Sequence, residues 1–140
     1  MILNPINEYS SAFPILTCIH IAGIVCGVGT AALVDFRLLG VGLTQNSPAK
    51  LWSDATPWTL AGLTLAIFSG LLLFSADPAM YFANTAFRFK MSMLLLAIVF
   101  YFTVVRKAAS GERESSFVAC VSLGMWAMVP VGGIFIGFTG

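Results

Sequence analysis

The sequence predicts an all-α membrane protein, a transmembrane four-helix bundle with short loops, and three observations carry that prediction. Hydrophobic residues make up 59% of the chain and charged residues only 9%, whereas about a quarter of a soluble domain is charged. Mean hydropathy is +0.94. The 140 residues leave room for four crossings of about 20 residues each, within one transmembrane domain, residues 1–140. A net charge of +1 supplies no field that would gather nucleic acid, so the lipid bilayer is the first expected partner.

The first twelve residues, M-I-L-N-P-I-N-E-Y-S-S-A, carry one acid and no base, which does not match the charged start of a signal peptide. They are expected to lie at the interface, anchored by Tyr9. The first span follows at about 13–34 and holds the chain's one histidine, His20. At about 100° per residue, Gly23, Gly27 and Ala31 share a face with His20 within roughly 80°. The polar connection after it contains Ser47-Pro48, an N-cap and a proline at the first helical position. This predicts a short interfacial helix between spans one and two. Thr56-Pro57 repeats the signal and places the second span at about 57–76.

Asp77-Pro78 ends that span, since proline disfavours the helical conformation of the residue before it. Asn84 is the expected cap of the third span, about 87–105. The uncharged run Met91 to Val105 is only 15 residues, too short to cross about 30 Å. The helix must therefore reach back past Lys90 and Arg88, whose long side chains are expected to snorkel to the headgroups. R-K-A-A-S-G-E-R-E-S-S, the concentrated charge of the chain, reads as a turn, and Ser115 or Ser116 caps the fourth span, about 117–138. Pro130 inside that span frees a carbonyl near Trp126. Arg37, Lys50, Arg106, Lys107 and Arg113 lie on one side, against Arg88 and Lys90 on the other. Both termini are thus expected to face out, with His20 in the outer half of the bilayer.

No metalloprotease, phosphate-loop, nucleophile-elbow or zinc pattern is present, and the expectation is a protein that is not an enzyme. Cys18, Cys26 and Cys120 lie within apolar segments and read as buried fillers. Gly23-x-x-x-Gly27-x-x-x-Ala31 and Gly62-x-x-x-Ala66-x-x-x-Gly70 are small-residue ladders, the pattern of two membrane helices in close contact. Span three has no glycine and is expected to lie partly against lipid or a partner.

His20 is an intramembrane ionisable group and so a functional candidate. Its imidazole could ligate the iron of a haem b, or another metal, with a planar ligand lying on Gly23 and Gly27. Met93 or Met128 would be the second ligand, with Lys90 a poorer choice. The alternatives are a hydrogen bond to Ser69 or Thr64, a proton relay and a quinone contact. Asp35 and Arg37 stand at the inner end of span one, where a carboxylate at a helix C-terminus needs a cation. A structural pair of Asp35 with Arg106 or Lys107 is expected, a place for proton access being the other reading. Tyr101 needs a partner for its hydroxyl. Copper or proton transport would have Met91, Met93, Met125 and Met128 as soft ligands.

The segments H-I-A-G, D-F-R-L-L-G, F-R-F-K and W-A-M-V-P-V-G-G-I-F-I-G-F together resemble an uncharacterised family of small bacterial four-helix integral membrane proteins. That family is itself distantly similar to the cytochrome b561 and copper-resistance membrane bundles. The resemblance covers nearly the whole chain and marks His20, Asp35, Arg37, Lys90 and Trp126 as matching positions. It implies a multi-pass protein of the bacterial inner membrane. Members often carry a histidine where this chain has Tyr101-Phe102 and an arginine where it has Gly133, which takes away a second haem ligand and an anion partner. The expected function is a non-catalytic accessory subunit beside a membrane electron-transfer or energy-converting complex. A haem b electron carrier using His20 is the alternative, and copper or proton transport a third. Protein partners in a complex, or copies of the same chain, are implied.

Overall fold

A computed structural model describes residues 11–111 and 115–139; Tyr9 and Arg113 lie outside them. The chain folds into α1 (Ala12–Leu39), α2 (Pro48–Phe74), the short α3 (Pro78–Ala83), α4 (Thr85–Ser110) and α5 (Ser116–Thr139). The four long helices are long and apolar enough to cross a membrane, and the chain is a multi-pass membrane protein with the all-helical bundle its composition predicts.

The helix ends follow local chemistry. α1 stops at Gly40, whose positive φ of 77° lets its N–H and the next one bond back to the Arg37 and Phe36 carbonyls, a left-handed cap for which glycine has no steric penalty. Ser47 accepts from the Lys50 N–H and Pro48 opens α2. Asp77 and Pro78 do the same for α3. Asn84 caps α4, accepting from the N–H groups of Ala86 (2.9 Å) and Phe87 (3.3 Å).

The separate interfacial helix does not exist. The helix begun at Pro48 continues through Pro57 to Phe74, and the Thr56 hydroxyl donates to the Trp52 carbonyl at 2.6 Å within it. An internal proline removes one donor and crowds the carbonyl four residues back, here Ser53. Ser53 and Pro57 both lie on the exposed face, so that carbonyl faces outward rather than into the core. The cap at Ser47 therefore decides where the second span begins.

α1 and α2 form the closest pair, α4 and α5 the second, and α1 joins the pairs by packing on α5. The two small-residue ladders make the α1–α2 contact. A methyl on Gly23 would lie 2.7 Å from the Ala66 backbone nitrogen, and one on Gly27 2.9 Å from that of Leu63. Thr30 and Thr59 share a hydrogen bond of 2.7 Å across the same seam. Asn84 Nδ2 donates to the Ile136 carbonyl, and the Ser115 N–H donates to the Leu38 carbonyl, so each end of the bundle is tied. As expected of a span without glycine, α4 leaves Leu95, Leu96 and Val99 exposed.

The core lies toward the α1–α2 loop. Val34, Leu38, Tyr101, Val105 and Trp126 are buried there. The Tyr101 ring meets Trp52 at 4.7 Å and Trp126 at 5.8 Å between centroids. Tyr101 also begins a π-helical turn, Tyr101–Val105, within α4. α2 meets the Arg106–Ser110 end of α4, and toward α3 the two helices stand apart. That separation makes the site.

Candidate functional site

Between α2 and α4, on the α3 side of the core, lies a cleft of about 910 Å³. α1 closes its back and α5 its far wall, while exposed Ile67, Leu71 and Met91 form a rim that opens sideways. Most of the wall is apolar. Among its polar residues His20 from α1 and Lys90 from α4 face each other.

His20 is placed by α2. Its Nδ1 lies 2.8 Å from the Ala66 carbonyl oxygen and 3.1 Å from Ser69 Oγ. A carbonyl can only accept, and the Ser69 hydroxyl already donates to the Leu65 carbonyl at 2.6 Å. The hydrogen therefore sits on Nδ1, and in a neutral ring Nε2 is left as the acceptor. Lys90 Nζ faces that nitrogen at 3.4 Å. The imidazole fits because Gly70 has no side chain: a methyl there would lie 3.0 Å from His20 Cε1. The expected hydrogen bond to Ser69 is present, with the Ala66 carbonyl as a shorter partner.

Lys90 departs from expectation. It turns inward instead of snorkelling to the headgroups, because α5 presents Gly132 and Gly133 at this level. A methyl on Gly132 would lie 3.0 Å from Lys90 Cβ, and one on Gly133 3.3 Å from Nζ. Arg88, two residues earlier, is exposed and lines the mouth. Tyr81 of α3, also at the mouth, has its phenol held above the ordinary tyrosine range by burial and by the Asp77 carboxylate. It remains a hydrogen donor at physiological pH.

Gly23 and Gly27 are taken up by the α1–α2 seam and provide no surface for a planar ligand. Met93 is half-buried away from the cleft and Met128 is exposed; the methionine on the cleft is Met91. Met125 packs against the core. Among the described residues no group of three His, Cys, Asp or Glu side chains is placed to hold a metal ion. Cys18 and Cys120 are exposed rather than buried. Cys26 is half-buried, its thiol 3.5 Å from the Trp58 carbonyl.

The other polar residues lie toward the core. Asp35 does not pair with Arg106 or Lys107; it is fully buried and accepts from Ser122 Oγ at 2.7 Å. The reason is depth: Asp35 faces α5 inside the bundle, while Arg106 and Lys107 are exposed. Arg37 Nε donates to the Asn46 carbonyl at 2.7 Å, bracing the loop after α1. Asp35 Oδ1, the Tyr101 hydroxyl and Trp126 Nε1 are buried without a hydrogen-bond partner among the described residues. The sequence marks neither Gly70 nor Gly132 as part of a site, and Gly133 enters only through the resemblance, as the position of an arginine that this chain lacks. The signal available for the last two was a glycine pair at the depth of an intramembrane lysine.

Residues 9–139 match a family described as a family of unknown function (DUF6644). No curated protein and no solved structure matches the chain.

Proposed function

We propose, starting from the fact that this chain belongs to the DUF6644 family of unknown function, that it is a non-catalytic membrane subunit holding a lipid-soluble molecule in the α2–α4 cleft. The observation that carries this reading is the cleft itself, about 910 Å³ with a mostly apolar wall that includes the His20–Lys90 pair. Ligand sites fall in this size range and combine apolar walls with a few placed polar groups. An open side between two membrane helices admits a molecule that partitions into lipid. His20 orients and does not react: its Nδ1–H is committed to α2 and its Nε2 to Lys90.

The site of action on this proposal is a bacterial inner membrane, beside an electron-transfer or energy-converting assembly. The exposed apolar faces of α4 suit lipid or a protein partner. Arg37, Lys50, Arg106, Lys107 and Arg113 mark the cytoplasmic side, which puts the cleft in the outer half of the bilayer.

One further reading has an observation of its own. A histidine whose Nδ1–H is held by a carbonyl presents Nε2 as metal-ligating histidines do. A haem b carrier distantly like the b561 bundles would use His20 in this way, with Met91 as the cleft's thioether.

Purification in mild detergent, followed by an absorption spectrum and mass spectrometry of the organic extract, tests both. The proposal expects a colourless protein with about one extractable lipid-soluble molecule per chain, migrating with a larger assembly. A Soret band lost in His20→Ala transfers the site to haem. A chain that always purifies alone and carries nothing beyond bulk detergent and lipid overturns the proposal.

A further inference from the structure

The geometry points to the chemistry of the occupant: we infer that the cleft takes an anionic amphiphile, its carboxylate or phosphate head on the Lys90 amine and its hydrocarbon chain in the apolar cleft. This rests on the reading of the cleft as a ligand site and names the class of molecule it selects.

Charge complementarity is the first support. Among the described residues the cleft lining contains Lys90, Arg88 and His20 and no aspartate or glutamate. Lys90 Nζ meets His20 Nε2, and no carboxylate lies within ion-pair distance of it among the described residues, where Lys50 and Asp54 form an exposed pair at 2.6 Å. A lysine inside the hydrocarbon region is costly unless it finds a partner. An anionic head supplies a partner that none of the described residues provides.

Hydrogen-bond direction is the second. His20 Nδ1 donates to α2, so in a neutral ring Nε2 accepts one hydrogen from Lys90 and holds the amine in place. An ammonium has three donors, so two remain for the head. Gly132 and Gly133 make the room for this arrangement, a methyl on the latter coming within 3.3 Å of Nζ. Arg88 at the mouth draws the head inward from the headgroup layer.

Length is the third. From the level of Gly70 the cleft descends to Leu63, with Val28 and Leu94 beside it. Seven helical steps of 1.5 Å make this about 10 Å, and the side opening lets a longer chain continue between α2 and α4. An acyl chain fits this shape with its acid end at Lys90.

A carboxylate could come from a free fatty acid and a phosphate from a phospholipid, and one experiment separates them. The full chain in phosphatidylcholine nanodiscs is titrated with radiolabelled palmitate, hexadecyl phosphate and hexadecanol. Charge-assisted hydrogen bonds predict that one or both anions bind about tenfold or more tightly than the alcohol. Lys90→Met abolishes that preference, and Lys90→Arg keeps most of it. Displacement by phosphatidylglycerol assigns the head to a phospholipid; palmitate binding that phosphatidylglycerol leaves untouched assigns it to a free acid.

Equal binding of both anions and the alcohol to the unaltered chain overturns the inference, as does a preference that survives Lys90→Met. Should Lys90→Met not fold, the comparison on the unaltered chain decides alone. Hexadecanol that binds as well as both anions removes the anionic head but keeps the ligand cleft. Binding of none of the probes removes both.

Discussion

A single methyl group at Gly62 should pull the α1–α2 pair apart. Gly62 is the point of closest approach: a Cβ there would lie 2.7 Å from Gly27 Cα, 2.9 Å from the Cys26 carbonyl carbon and closer still to the Gly27 nitrogen. Ordinary contact begins near 3.4 Å, so the helices must separate by about 1 Å. The obstacles are backbone atoms and have no rotamer to escape into, which puts the overpacking cost toward the upper part of the usual ~1–3 kcal/mol. Alanine returns up to ~1 kcal/mol of helix propensity. The net expectation for Gly62→Ala is a loss of about 1–2 kcal/mol. Gly29 and Gly124 are the controls, because a Cβ on either meets nothing within 4 Å; alanine there should be neutral or gain up to ~1 kcal/mol. Reversible unfolding in mixed micelles, followed by circular dichroism, measures all three. A Gly62→Ala chain as stable as the parent, or three substitutions with one common sign, would refute the close-packed seam.

Other substitutions probe the remaining contacts. Asn84→Ala removes the α4 cap and the bond to the Ile136 carbonyl together, and should cost about 1–3 kcal/mol in the same unfolding measurement. Thr30→Val breaks the bond to Thr59, with an expected loss of ~0.6 kcal/mol and at most ~1.7. Tyr101→Phe removes a buried hydroxyl that has no hydrogen-bond partner among the described residues, so stability should hold or rise, by up to about 1–3 kcal/mol. Tyr101→Ala, by contrast, should cost about 3–5 kcal/mol, as for other buried aromatics. A large loss in Tyr101→Phe would reveal a bound group using that hydroxyl.

What the sequence makes legible is what depends on near neighbours. Ser47-Pro48, Asp77-Pro78 and Asn84 mark helix starts because capping is a matter of two or three residues. The paired ladders announce their seam because small residues four apart have few other uses in a membrane helix. Pro57 misleads for a physical reason: alone it imitates a helix start, and only the exposed position of Ser53 reveals that the helix runs through it. The site is less legible, because its parts come from four helices. Lys90 looks like a snorkelling lysine until Gly132 and Gly133 are placed beside it, and His20 acquires its orientation from Ala66 and Ser69. Asp35 likewise finds Ser122, 87 positions away, instead of the cations nearer the end of α4. Met93 and Met128 were candidates by depth alone, and depth does not say which way a helix face turns.

The ligand cleft is the centre of this account, and native mass spectrometry of the chain released from lipid nanodiscs tests it most directly. The account predicts one retained amphiphilic molecule per chain. It also predicts loss of that molecule in Gly133→Leu, where the added side chain crowds Lys90 Nζ while circular dichroism reports an intact helical fold. A chain released bare, or retention that is the same in Gly133→Leu, would contradict it.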